Sequence, residues 1–311
     1  SHRKDHHQHI DMARFCSLTS LALAGSLLAG RATATMMPDG RDYPEECIHH
    51  LQDGHHVESL PNGTGDLLIS PTGERVILPP CPAVSAPRYY SSWIVNTVFA
   101  HDGISSMVSN WTVPKEPASR GPVPGMSSAY HFNGLENGGG VPGTATMILQ
   151  PVLSFGKSGC VLNPLAGWHF TAFQVMQSGR AYCGPAISVR EGDVLQGRME
   201  LVGQGQWRTT ADAGARGMSV HTTAAPNFDA NAAYLTLEGM VVYNCKALPG
   251  QGVKFTGNSI LGANQQQLTP SWKTEVTHTD CQPSAHIDKG GDVELSWSSA
   301  DSAAVQAPLV V

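Results

Sequence analysis

Gln150 is the residue whose surroundings first point to chemistry. It stands inside an apolar run, Met147-Ile148-Leu149-Gln150-Pro151-Val152-Leu153, and burying a primary amide without a partner costs about 1–3 kcal/mol. A fold places such a group where a ligand or a partner side chain can satisfy it, so Gln150 is the first candidate catalytic residue. The run before it, Tyr130-His131-Phe132-Asn133-Gly134-Leu135-Glu136, joins it through a Gly138-Gly139-Gly140 turn. Glu136 adjoins that turn and is the first carboxylate placed to reach the same groove as an acid or base. The bland alternative for Glu136 is a solvated loop carboxylate. Glu200, on the polar side of a later run, and Asp193, in a turn, are weaker acids for the same work.

Candidate lining residues come from the same two regions. His131 and Asn133 lie on the first run, and Trp168, His169 and Phe170 on a later one, Gly167-Trp168-His169-Phe170-Thr171-Ala172-Phe173. Flat aromatic faces beside amides and imidazoles suit sugar rings or an extended polymer, although core packing is the default for any one aromatic. His131, His169 and His221 on facing strands could also hold a metal or exchange protons. A half-buried histidine with one backbone partner is the commoner case. No CxxC pair and no Gly-x-Ser-x-Gly elbow occurs, so neither a zinc site nor a serine triad is expected, and no cofactor is called for.

The elements that must position these residues read as strands. Short alternating runs recur at Val108–Val113, Ala145–Phe155, Trp168–Val175, Ala186–Val189, Val194–Val202, Met218–Thr222, Ala233–Val242 and Glu294–Ser298, separated by turn residues. Many short strands at regular spacing predict an all-β sandwich or barrel. The charge balance, 19 Lys and Arg against 25 Asp and Glu, gives a net charge of −6 with no basic stripe. Nucleic acid and anionic membrane surfaces are therefore excluded as partners.

The N-terminus reads as a leader. Residues 12–34 carry Arg14, a short apolar run and Ala32-Thr33-Ala34, the pattern of a secretory signal, and the run is shorter than the ~20 residues of a membrane span. Residues 1–11 are expected to be an upstream or non-native extension. Of the 7 cysteines, Cys16 lies in the leader. An even set remains: Cys47, Cys81, Cys160, Cys183, Cys245 and Cys281. In a secreted chain this implies disulfides, with 15 possible connectivities. Neighbour pairing is the simplest expectation. Asn62-Gly63-Thr64 and Asn110-Trp111-Thr112 are glycosylation sequons, so Asn62 and Asn110 are candidate acceptors. Residues 35–87 are a His- and Pro-rich appendage containing a hairpin, Asp66–Ser70 to Glu74–Leu78. Residues 88–299 carry the sandwich, and 300–311 a tail.

A family resemblance rests on the order of five motifs: Ser109-Asn110-Trp111-Thr112-Val113-Pro114, Phe132-Asn133-Gly134-Leu135-Glu136, Ile148-Leu149-Gln150, Gly167–Phe173 and Val189-Arg190-Glu191-Gly192-Asp193-Val194-Leu195. Over residues 90–202 this resembles the eqolisins, or glutamic peptidases, and their non-peptidase relatives. The resemblance implies a concanavalin A-like antiparallel β-sandwich of jelly-roll type, to which the small N-terminal appendage is added. It also implies that Gln150 matches the family glutamine, which stabilises the oxyanion beside a water-activating glutamate. That glutamate is expected on the Trp168–Phe173 strand, where Ala172 stands. In this respect the chain looks closer to secreted relatives that lack the acid.

The leading expectation is a secreted protein whose groove, lined by Gln150, His131, Asn133, Trp168, His169 and Phe170, binds extracellular polysaccharide or another polymer such as a polypeptide. An acid-active hydrolase using Gln150 with Glu136 as relocated acid is the alternative. A wall or coat protein without a reacting site is the third. The oligomeric state is not legible.

Overall fold

Alternating side chains put one row of each strand between two sheets and the other row outside. The computed structural model describes residues 34–36, 42–60, 65–78, 81, 91–120, 127–140, 144–161, 163, 166–178, 180–240, 242, 244–250 and 252–298. The leader and extension (but for Ala34), the sequon at Asn62 and the tail from 300 lie outside them. The strands are β1 (Ala34–Met36), β2 (Asp42–Pro44), β3 (Ile48–His50), β4 (His56–Ser59), β5 (Asp66–Ile69), β6 (Arg75–Leu78), β7 (Ser91–Ala100) and β8 (Ile104–Thr112). They continue as β9 (Ser128–Glu136), β10 (Met147–Phe155), β11 (Trp168–Met176), β12 (Arg180–Cys183), β13 (Ile187–Ser188), β14 (Val194–Gly203) and β15 (Gln206–Asp212). The last are β16 (Met218–Ala224), β17 (Ala232–Met240), β18 (Gly252–Gly262), β19 (Gln267–Leu268), β20 (Lys273–Val276), β21 (Ser284–Ile287) and β22 (Val293–Ser296).

Two large sheets face each other. The first runs β20-β7-β17-β9-β10-β11-β12-β3, with β13 beside β11; the second runs β21-β22-β18-β8-β14-β15-β16-β4-β5-β6, with β19 beside β18. The core between them is built from Leu149, Leu153, Phe170 and Leu235 of the first sheet against Trp111, Leu195, Met199 and Trp207 of the second. This is the all-β sandwich that the strand pattern predicts.

The N-terminal appendage is built into the sandwich. β3 pairs parallel with β12 and β4 pairs parallel with β16, so this segment adds strands to both sheets. The hairpin forms as predicted, with β5 and β6 closed by Ser70 and Glu74 and Gly73 at φ 83°. All three disulfides join neighbours: Cys47–Cys81, Cys160–Cys183 and Cys245–Cys281, with Cα separations of 5.9, 5.8 and 5.4 Å. A buried ion pair completes the join. The Arg180 guanidinium and the Tyr182 hydroxyl both donate to Asp66 Oδ2, and Arg180 also reaches the Leu78 carbonyl at 3.3 Å.

Breaking such a pair from one side leaves a buried charge, which costs about 3–5 kcal/mol. Asp66→Ala is therefore expected to lower the urea-unfolding free energy by that amount, and a change below about 1 kcal/mol would show that the hairpin is held by other contacts.

Candidate functional site

The face that Gln150 occupies follows from strand parity. On β10, Leu149 and Leu153 enter the core between the sheets, whereas Ile148 and Val152 join a second cluster on the outer face. Gln150 therefore points outward, into that second cluster, and is 1% exposed. On β11, Phe173 stands opposite it. On β9, the pairs Leu149–Leu135 and Val152–Phe132 set it opposite Gly134, which has no side chain. Tyr234 of β17 pairs with the far side of Gly134. The glycine thus leaves Gln150 and Tyr234 facing each other across a bare strand, and a Cβ there would meet Ile148 Cδ1 at 3.3 Å. Gln150 Nε2 has no hydrogen-bond partner among the described residues.

Glu136 completes the group. It pairs with Ile148 on one side and Ala232 on the other, one step along the same face from Gln150 and Tyr234. Such diagonal neighbours have Cα atoms about 7–8 Å apart. The Tyr234 hydroxyl donates to Glu136 Oε1 at 2.5 Å. Burial pushes the Glu136 carboxyl up to about 7; the Tyr234 hydrogen bond opposes this, and the charge of Glu275 adds to it. Burial, followed by Glu136, also pushes the Tyr234 hydroxyl up, so it stays a donor. The turn after Glu136 is fixed by Asn137, whose side chain binds Thr146 Oγ1 at 2.7 Å and the Thr146 amide at 2.9 Å. Gly138 lets the turn lie against the acid, because a Cβ there would fall 3.1 Å from Glu136 Oε1.

The remaining predicted residues are divided between the two faces. His131, Asn133, Trp168 and Phe170 do not line the Gln150 face. Alternation turns all four into the core between the sheets. His131 stacks on Trp297 and meets Trp168 at a tilt, each with ring centroids 5.6 Å away, and burial pulls its imidazole down to about 3. Asn133 donates to the Gly197 carbonyl at 3.1 Å, and Phe170 meets Trp111 edge-on at 5.3 Å. His169 does share the outer face but sits opposite Ser154, half-buried, with Nδ1 3.1 Å from the Gly167 carbonyl oxygen. His221 binds Gln174 Oε1 at 2.6 Å and stacks on Tyr182. The three histidines therefore do not converge, and no group of three metal-ligating side chains occurs among the described residues.

Ala172 needs a correction of the same kind. On β11 it lies in step with Trp168 and Phe170, and its amide donates to Ser219 Oγ of the second sheet at 3.0 Å. A carboxylate at 172 would point away from Gln150; Thr171 and Phe173 are the β11 positions on the right face. Among the described residues, the acids that share the face are Glu136, Glu238 and Glu275. Glu238 is fully buried and opposite Tyr130. Tyr234, Glu238 and Glu275 were missed from sequence, although Ala232, Tyr234, Thr236 and Glu238 alternate visibly with Ala233, Leu235 and Leu237.

Two further features bear on access and modification. Tyr43 and Ile48 of the N-terminal segment and Cys160 join Phe132, Ile148, Val152 and Phe173 in the outer cluster, so the face around Gln150 is covered rather than open. Asn110 sits mid-strand, where its amide donates to the Thr256 carbonyl at 3.3 Å and accepts from Gln196 at 3.0 Å.

A scan against protein-family models and a search of curated proteins found no match. Among solved structures, scytalido-glutamic peptidase with a transition state analog inhibitor is similar at 12% identity and a TM-score of 0.46, covering 67% of this chain and 98% of that one. SCP-B, a member of the eqolisin family in complex with the tripeptide Ala-Ile-His, gives 12% and 0.44 over 67% and 99%. Aspergilloglutamic peptidase from Aspergillus niger gives 17% and 0.36 over 54% and 98%. They name the family that the sequence resembles.

The raised Glu136 carboxyl has a consequence for stability. Between its unfolded value of 4.5 and about 7, the folded chain holds a proton there that the unfolded chain has lost, so this group's contribution falls as pH rises through that window. Urea unfolding from pH 4.5 to 7.5 is expected to show a decline of about 2–3 kcal/mol from this group, absent in Glu136→Gln. An unchanged slope in the variant would show that Glu136 is not the titrating group.

Proposed function

We propose that this chain is a secreted hydrolase of acyl bonds in extended polypeptides, in which Glu136 handles the proton and Gln150 stabilises the oxyanion. The observation that carries the reading is a buried carboxyl on the same sheet face as an amide whose Nε2 has no hydrogen-bond partner among the described residues. An unused amide donor suits the oxygen of a carbonyl as negative charge develops on it. A carboxyl that is neutral up to about pH 7 suits protonation of the leaving nitrogen. Tyr234 holds that carboxyl in place. Secretion is supported by the leader pattern and by three disulfides, bonds that persist in oxidising compartments. Because Tyr43 and Ile48 help cover the face, docking of a carbonyl beside Gln150 requires this segment to shift.

The test is cleavage of an unfolded, reduced and alkylated protein between pH 3 and 9, read by mass spectrometry. The expected rate is highest below about pH 7 and drops above it. Gln150→Ala is expected to lower kcat by about 10²–10³-fold, and Glu136→Gln by a comparable factor. A wall or coat protein would show no cleavage at any pH.

Binding of polysaccharide is a second reading, supported on a different surface. The outer face of the second sheet carries a depression of about 370 Å³ lined by Gln196, Arg198, Glu200, Arg208, Thr210 and Asp212. Arg198 donates to Gln196 at 2.8 Å, giving a row of planar polar groups suited to sugar hydroxyls. Co-sedimentation with insoluble polysaccharides is expected to be lost in Arg198→Ala under this reading, and equal sedimentation of both proteins would count against it.

A further inference from the structure

We propose that Asn110 carries an N-linked oligosaccharide whose first sugar covers Val194 on the outer face of the second sheet; the inference rests on secretion and on no catalytic role. Asn110 and Thr112 stand two apart on β8, so alternation turns both to one face, while Trp111 between them enters the core. Asn110 is half-buried and Thr112 exposed. The acceptor amide and the hydroxyl that an N-x-[ST] sequon requires are thus presented together at a surface. In register, Asn110 stands opposite Gln196 of β14, and Thr112 opposite Val194.

Three observations fit this amide to a sugar. Gln196 Nε2 donates to Asn110 Oδ1 at 3.0 Å, and Asn110 Nδ2 donates to the Thr256 carbonyl at 3.3 Å. A primary amide nitrogen carries two hydrogens, so the sugar can replace one while the other keeps the bond to Thr256. Beside it β18 bulges: its register against β8 shifts between Thr256 and Ser259. Within that bulge Gly257 has φ 60°, and a Cβ there would lie 3.0 Å from Asn110 Nδ2, in space that a group bonded to that nitrogen needs. The bulge is held by Asp292 Oδ1, which accepts from the Gly257 amide at 3.0 Å, and by Asn258, which donates to the Gly291 carbonyl at 3.0 Å. Finally, Val194 is 67% exposed and diagonal to Asn110, about 7–8 Å away between Cα atoms, so a sugar ring on the amide can lie over it.

The co-substrate is a lipid-linked oligosaccharide diphosphate, met in the secretory lumen. The Asn110 nitrogen bonds to C1 of the first sugar as the C1–O bond to the diphosphate breaks. The lipid diphosphate leaves with that bonding pair, and one amide proton passes to solvent. The attached group is bulky and solubilising, so it shields Val194 and the exposed bulge from other chains. Gln196, which also accepts from Arg198 at 2.8 Å, keeps the substituted amide fixed in direction.

Each feature also has a bland use, since positive φ favours glycine by itself and a lone exposed valine is common. The experiment separates the readings. The full chain is expressed with its own leader in a glycosylating eukaryotic host, with Thr112→Ser, which keeps the sequon, and Thr112→Ala, which destroys it. Glycans are released enzymatically in heavy-oxygen water and peptides are mapped by mass spectrometry, so that Asn110 is read separately from Asn62. The label is expected at Asn110 in the wild type and Thr112→Ser, and is expected to be lost in Thr112→Ala. Hydroxyl-radical labelling of Val194 in the folded proteins is expected to be at least about twofold higher in Thr112→Ala than in Thr112→Ser, because the bulky glycan is gone. An unmodified Asn110 in the secreted wild type, or a chain retained in the cytosol, would overturn the proposal. Equal labelling of Val194 in the two variants would overturn the placement of the sugar.

Discussion

Side chains alternate along a strand, so a shift of one residue exchanges the face that meets the second sheet with the face that does not. Almost every statement about this protein depends on that constraint. It sends His131, Asn133, Trp168 and Phe170 into the interior of the sandwich, and Gln150, Glu136 and Tyr234 to the opposite side of the same sheet. Residues adjacent in sequence, such as Leu149 and Gln150, therefore belong to different environments. The inner face is filled by aromatics and aliphatics from both sheets. The outer face carries an acid, an amide and a phenol within one patch, covered in part by the N-terminal segment.

The outer patch is held together by missing side chains as much as by those present. Gly134 leaves a bare strand between Gln150 and Tyr234, and Gly138 lets the turn rest against the Glu136 carboxyl. Tyr234 donates a hydrogen bond to that carboxyl, and burial keeps the proton in place. The N-terminal segment then closes the surroundings. It is stapled by Cys47–Cys81 and by Asp66 to Arg180 and Tyr182, and it contributes Tyr43 and Ile48 to the cluster around Gln150.

Much of the fold was legible from local pattern. The alternating runs foretold β8, β10, β11, β14, β16 and β17, and the two short runs Asp66–Ser70 and Glu74–Leu78 foretold the hairpin of β5 and β6. Gln150 stood out because an amide interrupts an apolar run, and Glu136 because it precedes a glycine turn. What could not be read was pairing. The parallel joins of β3 to β12 and β4 to β16 link segments more than 100 residues apart, and nothing local marks them. The face that Ala172 takes is set by register, which turns it inward with Trp168 and Phe170. Tyr234, Glu238 and Glu275 lie on strands that meet the Gln150 region only through the order β20-β7-β17-β9-β10.

The central claim is that Gln150 and Glu136 together recognise a tetrahedral centre, and its most direct test is binding. A peptide carrying a secondary alcohol in place of its scissile carbonyl mimics that centre, and catalytic sites bind such mimics more tightly than substrates. Calorimetry of this peptide against the wild-type chain, Gln150→Ala and Glu136→Gln measures both contributions without turnover. The account predicts binding by the wild type and a loss of at least about tenfold in each variant, equivalent to ~1.4 kcal/mol. Equal affinity in all three proteins, or no binding by a folded wild type, would contradict it.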